Sequence, residues 1–331
     1  MTATNKISSP TQSNSRNDLA PTGGVSGTFP GPGAKRIRRA ISGVLLLDKA
    51  AGFTSNAALQ KAKWLYRAQK AGHTGTLDPF ATGLLPLCLG EATKSSQFLL
   101  DADKVYRAEI RLGVRTDSGD LDGNVIAERP VDVDEAALRR ALLRFLGEID
   151  QLPPMHSALK HAGRPLYEYA RQGIEIDRPA RRVTVFDLEL ESFDGAIARV
   201  RVHSSKGFYV RALADDLGEV LGCGAHLSGL DRLKVGPYLL EDAVTLESLA
   251  ELGEAERDAL LLPADNLALD LPRIDLDLEA TWQINHGQSI WRAGLHVGEL
   301  LRLYASDGRF LGVALVDEEG KAAPKRLLAS E

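Results

Sequence analysis

Residues 71–94 read AGHTGTLDPFATGLLPLCLGEATK, and one aspartate, Asp78, stands inside them among Gly72, Gly75, Gly83 and three threonines ahead of Thr93. Pro79 follows it directly, and a residue before proline is driven away from helical backbone toward extended geometry. The glycines on either side permit tight turns and close backbone approach. The segment therefore presents Asp78 from a stiff loop. The apolar run 84–89 that follows anchors that loop in a core. Taken alone, an Asp-Pro step among glycines also describes a plain turn, so the residues leave both readings of Asp78 open.

The rest of the composition narrows the setting. A chain of 331 residues is long enough for two domains. No apolar run approaches the length needed to cross a bilayer. The N-terminus lacks the apolar stretch of a secretory signal, so a cytoplasmic location is expected. Cys88 and Cys223 lie far apart without metal-ligand spacing and read as buried free thiols in a reducing compartment. His73 has no second His or Cys at a ligand spacing, so no metal is expected. A Walker A sequence, a Rossmann glycine fingerprint and a nucleophile elbow are all missing, and no cofactor is expected.

The net charge of −5 weighs mildly against nucleic acid as a partner, but binding depends on where the cations gather. They gather three times: Lys61, Lys63, Arg67 and Lys70; Arg178, Arg181 and Arg182; Arg199, Arg201, Lys206 and Arg211. Each group reads equally well as a solvated face.

Along the chain, residues 1–39 are rich in Ser, Asn, Thr, Gly and Pro without hydrophobic period and read as a disordered tail ending in the basic run 35–39. Order is expected from a short strand at 43–49. Ser55 reads as the N-cap of a helix that carries Ala58, Leu59, Ala62, Leu65 and Tyr66 at helical spacing. Residues 104–113 alternate as a half-buried strand. A turn-rich link at 117–123 precedes a helix capped by Asp134. Further on, 166–170 reads as helical, 182–192 and 196–204 as strands, and 209–221 as a helix with Val210, Leu213, Leu217 and Val220 inward. Strands mixed with helices, without a regular βαβ repeat, give an α+β fold. From about 271 a smaller β module follows, with a short helix at 280–286 and two strands joined at Asp307-Gly308.

The string GHTGTLDPxATGLLPLCLGEATK resembles the active-site motif of the TruB family, the bacterial tRNA pseudouridine-55 synthases. Asp103-Lys104-Val105-Tyr106-Arg107 is similar to that family's second motif. Residues 204–211, SSKGFYVR, followed by Asp215-Asp216-Leu217-Gly218, are similar to its third. The likeness covers about 43–245 and, more loosely, the C-terminal module. His156 departs from it, since family members often carry Tyr there.

The resemblance implies a pseudouridine synthase fold, with a central, mostly antiparallel sheet, flanking helices and a small C-terminal PUA-like RNA-binding domain. It places the catalytic domain at 40–268 and the PUA-like domain at 270–331. It implies isomerisation of the T-loop uridine of tRNA by base flipping, with the T-arm stem-loop as partner. No membrane is expected from the apolar runs, and the lack of coiled-coil heptads or an obvious apolar interface suggests a monomer. Asp78 would be the essential catalytic residue, and Arg211 would hold it in a bidentate pair expected to lower its pKa. Tyr106 would stack on the target base and act as a base at C5. Tyr209 and Leu230 would line the uracil pocket, and His73 would fill the space of the flipped nucleotide. Lys49 would order the site or meet a phosphate. Without the resemblance, Tyr106 reads as a strand tyrosine and Arg211 as a surface partner of Asp215. An RNA-folding protein and a guide-dependent relative remain alternatives.

Overall fold

The computed structural model describes residues 37–328, so nearly all of the expected tail lies outside the described residues. Of that stretch, Arg39 is already engaged: its guanidinium pairs with Asp258 and, at 3.3 Å, with Glu254.

The alternation read at 104–113 yields the strand Lys104–Leu112, whose Ala108, Ile110 and Leu112 are buried. It sits near the middle of a ten-stranded sheet. The strand order is Val244–Thr245, Gly43–Lys49, Thr82–Leu89, Ala225–Val235, Lys104–Leu112, Ile197–Ser204, Arg181–Phe193, Gly147–Gln151, with two short strands pairing off this path. Neighbours run antiparallel except at two places. Thr82–Leu89 lies parallel to Ala225–Val235, and Gly43–Lys49 lies parallel to Val244–Thr245.

Two helices cover one part of this sheet. Glu135–Leu142, capped by Asp134 as expected, and Val210–Leu221 bury Leu138, Leu142, Leu213 and Leu217 against Ile110, Val200 and Val183. Val220 differs from expectation: it is 36% exposed. A second core forms where the helix Ser55–Tyr66 packs Ala58, Leu59 and Tyr66 against Leu45, Leu47, Leu85 and Leu87. Phe80 and Leu230 pack against both cores. The loop bearing Asp78 thus lies at the seam between two cores.

The cap of that second helix is Thr54, not Ser55. Thr54 Oγ1 accepts from the Ala57 amide at 3.0 Å, while Ser55 is buried and serves another purpose. The strand Ala225–Val235 was not foreseen either. Its sequence AHLSGLDRLKV lacks alternation because two register shifts interrupt its pairing with Lys104–Leu112.

Residues 273–327 form a five-stranded sheet in the order Arg273–Asp275, Leu300–Tyr304, Phe310–Val316, Lys321–Leu327, Ile290–Trp291, closed by the helix Leu278–Asn285. Leu276, Ile284, Leu301, Leu303 and Val316 give it a core of its own. On that basis we propose the division into 40–268 and 270–331. The two parts touch through Lys94 Nζ, which donates to the Leu327 carbonyl at 2.9 Å, and Tyr304 Oη, which donates to Asp265 at 2.6 Å.

Candidate active site

The loop 74–81 is held by side chains from outside it. Leu77 is 3% exposed and anchors the residue before Asp78 in the second core. Ser55 Oγ donates to the Leu77 carbonyl at 3.0 Å and accepts from its amide at 2.8 Å. Lys49 is wholly buried, and its Nζ donates to the carbonyls of Phe53 at 2.8 Å, Ala50 at 3.1 Å and Pro79 at 3.3 Å. Burial pushes the Lys49 pKa down to about 8, with the charge of Asp78 opposing the shift. Lys49 therefore orders the loop, and its burial removes it as a phosphate contact. The turn itself is real: the Asp78 carbonyl accepts from the Ala81 amide at 3.1 Å.

Arg211 enters from the first turn of Val210–Leu221 and is 6% exposed. Its Nε lies 3.2 Å from Asp78 Oδ2 and its Nη2 lies 3.4 Å from Asp78 Oδ1. The alternative pairing with Asp215 does not form, since Asp215 takes Arg115 at 2.6 and 3.0 Å. Arg211 is also claimed on its other edge. Nη1 lies 3.2 Å from Asp120 Oδ2 and donates to the Ser118 carbonyl at 3.4 Å, while Nη2 donates to the His156 carbonyl at 2.6 Å. One guanidinium thus spans two carboxylates, and all of its donors face oxygen. His156, the departure from the family pattern, contributes only backbone to this bond.

Asp120 was missed by sequence reasoning, which read 117–123 only as a turn. It is 5% exposed, and its Oδ1 accepts from Ser118 Oγ at 2.5 Å and the Asp122 amide at 3.1 Å. A buried aspartate in a Gly/Ser-rich turn has the same local sequence as a solvated one, so no local signal marks it.

The expected lowering of the Asp78 pKa is overturned. Burial raises it, Arg211 pulls it down, and Asp120 and Asp122 push it up again. The net direction is upward from 3.8, because a cation shared with Asp120 compensates only part of the lost hydration.

Tyr106 and Leu230 stand on neighbouring strands. The register pairs Tyr106 with Arg232 and Ala108 with Leu230, so Tyr106, Leu230 and Arg232 share one sheet face. Arg232 is 1% exposed, and its Nε donates to the Leu84 carbonyl at 2.7 Å and its Nη2 to the Gly75 carbonyl at 3.3 Å. It ties the sheet to the glycine loop. Tyr209, the N-cap of the Arg211 helix, has its pKa raised by burial, with Arg211 and Asp78 both within electrostatic reach. His73 ends the strand Ala71–His73, half-buried, with Nδ1 enclosed and unbonded. Burial and then Arg232 lower its pKa and favour the neutral ring. Asp78 and Arg211 thus meet directly, with Tyr209 two residues before Arg211 and within electrostatic reach of both. His73 stands on the Gly75 side of the loop and makes no direct bond to that group.

Most residues of the basic clusters stand beside acidic partners, chiefly at the surface. Arg199 pairs with Glu109, Arg201 lies 3.4 Å from Asp187, Lys206 lies 3.0 Å from Asp101, and Arg182 lies 3.1 Å from Asp150. Arg67 pairs with Glu254, and Lys70 lies 3.6 Å from Glu91. Among the described residues, no three His, Cys, Asp or Glu side chains gather as a metal-ligand set, and no helix is long and apolar enough to cross a membrane.

Family descriptions match residues 63–268 and 272–328. Residues 63–210 match the family description "TruB family pseudouridylate synthase (N terminal domain)". Residues 211–268 match "tRNA pseudouridylate synthase B C-terminal domain", and 272–328 match "Pseudouridine synthase II TruB, C-terminal". The chain is 51% identical over 294 residues to tRNA pseudouridine synthase B of Methylobacillus flagellatus, covering 89% of this chain and 97% of that protein. It is 55% identical over 296 residues to the protein of the same name in Thiobacillus denitrificans, covering 89% and 99%. Among solved structures, the archaeal box H/ACA sRNP Nop10-Cbf5 complex matches with a TM-score of 0.66 at 26% identity, covering 86% of this chain and 85% of that one.

Proposed function

The chain belongs to the TruB family of pseudouridylate synthases, and on that premise we infer that it isomerises the T-loop uridine of tRNA, position 55, with Asp78 as the central group. The observation that carries this reading is the Asp78–Arg211–Asp120 array at the seam of two cores, with Arg211 and Asp120 buried and Asp78 still partly open to solvent.

The reaction breaks the N1–C1′ bond, joins C5 to C1′, removes the C5 proton and returns a proton to N1. It is balanced without oxidant, energy source or metal. The uridine must leave its stack to reach Asp78. Attack at C6, attack at C1′ and passage through a glycal all require an ionised carboxylate at the sugar or base. Arg211 favours the ionised form of Asp78 against burial and fixes both of its oxygens. Tyr106 offers its ring to the flipped base and its oxygen to the C5 proton, with Leu230 beside it on the same face. Tyr209 completes the pocket wall, and His73 takes the place of the flipped nucleotide. The enzyme works as a cytoplasmic monomer on the T-arm.

The test is pseudouridine formation on a T-arm stem-loop transcript without added cofactor, comparing the wild-type chain with Asp78→Asn. Turnover in the first and none in the second, at similar RNA affinity, is the expected result, because phosphate and stacking contacts supply most of the binding. Tight RNA binding without turnover by the wild-type chain would replace this reading with an RNA-folding or guide-dependent role.

A further inference from the structure

Gln151 ends the edge strand Gly147–Gln151 and is 1% exposed. Its carboxamide is devoted to the backbone of one residue. Oε1 accepts from the Tyr209 amide at 2.9 Å, and Nε2 donates to the Tyr209 carbonyl at 3.3 Å. Tyr209 is the N-cap of Val210–Leu221, with extended backbone (φ −111°, ψ 112°) and no side-chain cap bond. Its carbonyl has a second partner, the Leu213 amide at 3.2 Å. Its amide relies on Gln151.

Two residues on from Tyr209 stands Arg211. Five residues on from Gln151 stands His156, whose carbonyl takes Arg211 Nη2 at 2.6 Å. The stretch 151–156 therefore grips the turn 209–211 at both ends: by a buried carboxamide at the helix entry, and by a carbonyl at the guanidinium. A helix that enters at a slightly different angle would carry Tyr209 and Arg211 together away from Asp78. Losses of order a hundredfold in rate follow displacements of about 1 Å in an oriented site.

We propose that Gln151 is a positioning residue for the reaction, fixing the entry of the Val210–Leu221 helix so that Arg211 meets Asp78 and Tyr209 faces the base. Gln151 touches neither substrate nor reacting atoms and acts through those two residues. The inference rests on the function proposed above.

Two variants of matched length separate positioning from packing. Gln151→Met removes both hydrogen bonds. Gln151→Glu keeps an acceptor for the Tyr209 amide, but it replaces the donor with a carboxyl oxygen facing the Tyr209 carbonyl, so it restores only part of the arrangement. Each is compared with the wild-type chain for single-turnover rate at saturating T-arm RNA, RNA Kd and melting temperature. The expected result is a ten- to hundredfold slower rate for Gln151→Met, with Kd within twofold and melting only a few degrees lower, because one buried amide loses its partner, and a partly restored rate in Gln151→Glu. A Gln151→Met rate within twofold of wild type overturns the inference and leaves the proposed function standing. A slower rate with a matching loss of affinity, or with melting that falls to near the assay temperature, and no recovery in Gln151→Glu, assigns the residue to structure and also overturns it. An inactive wild-type chain refutes the functional reading itself.

Discussion

Ser55 Oγ exchanges two hydrogen bonds with the backbone of Leu77, donating at 3.0 Å and accepting at 2.8 Å, one residue before Asp78. Ser55→Ala leaves both Leu77 groups buried and unpaired, a cost of about 1–3 kcal/mol. The variant should unfold at lower urea and turn over more slowly, with RNA affinity retained. A chemical melt together with a single-turnover assay checks this, and wild-type rates in the variant would show that the loop holds Asp78 without Ser55.

Asp120 shares Arg211 with Asp78 and raises the Asp78 pKa. Asp120→Asn should therefore act twice. Turnover should fall about tenfold or more, because Arg211 loses a charged anchor. The acid limb of the remaining activity should move to lower pH, because Asp78 then ionises more readily. A pH–rate profile of the variant reads both effects, and an acid limb that moves up or stays put would contradict the shared-cation geometry.

The wild-type profile has two sides. Burial raises the Asp78 pKa above 3.8, so activity should be lost on acidification at a pH above that value. The folded protein then holds this proton more tightly than the unfolded chain, and the stability contributed by Asp78 falls as pH rises through the interval above 3.8. On the alkaline side, Lys49 has a pKa pushed down to about 8. Its deprotonation withdraws a positive neighbour from Asp78 and weakens its grip on the Pro79 carbonyl, so activity should decline near that pH. In stability the sign is opposite. The unfolded chain holds the Lys49 proton more tightly, so the contribution of Lys49 to stability rises between about 8 and its ordinary 10.5. Removing the Lys49 charge with Lys49→Met should abolish the alkaline limb, and a limb that persists would belong to another group.

Gly83 lies against the backbone of Arg232, where a Cβ would stand 2.5 Å from the carbonyl oxygen and 2.7 Å from the nitrogen, at φ +98°. Neither backbone can yield without breaking the strand pairing at the site. Gly83→Ala should cost more than about 3 kcal/mol by clash and strain together. Gly195→Ala, at φ +95° with nothing within 4 Å, should carry only the left-handed backbone cost of about 1–2 kcal/mol. Equilibrium melts of the two variants give the comparison, and equal losses would place the effect of Gly83 in its backbone angle alone.

Much of the local structure was legible in the chain. The alternation at 104–113, the Asp134 cap and the helical spacing at 210–217 all became the elements they imply, because each is set by contacts within a few residues. The strand Ala225–Val235 was not legible, since its register shifts are imposed by neighbours far away in sequence. The Ser55 cap was read one residue late for a related reason: Thr54 satisfies the helix, which frees Ser55 for Leu77, a bond across 22 residues.

The site divides in the same way. Proline and glycine act on their own backbone and need no partner, so the rigid loop under Asp78 is readable from residues 72–83 alone. Its surroundings come from the folded chain. Asp120 meets Arg211, Ser55 holds Leu77 and Gln151 holds Tyr209 from three separate segments, and burial outweighs Arg211 in setting the direction of the Asp78 pKa. Desolvation and charge sharing depend on distances in space, and local sequence carries no record of these until the chain has folded.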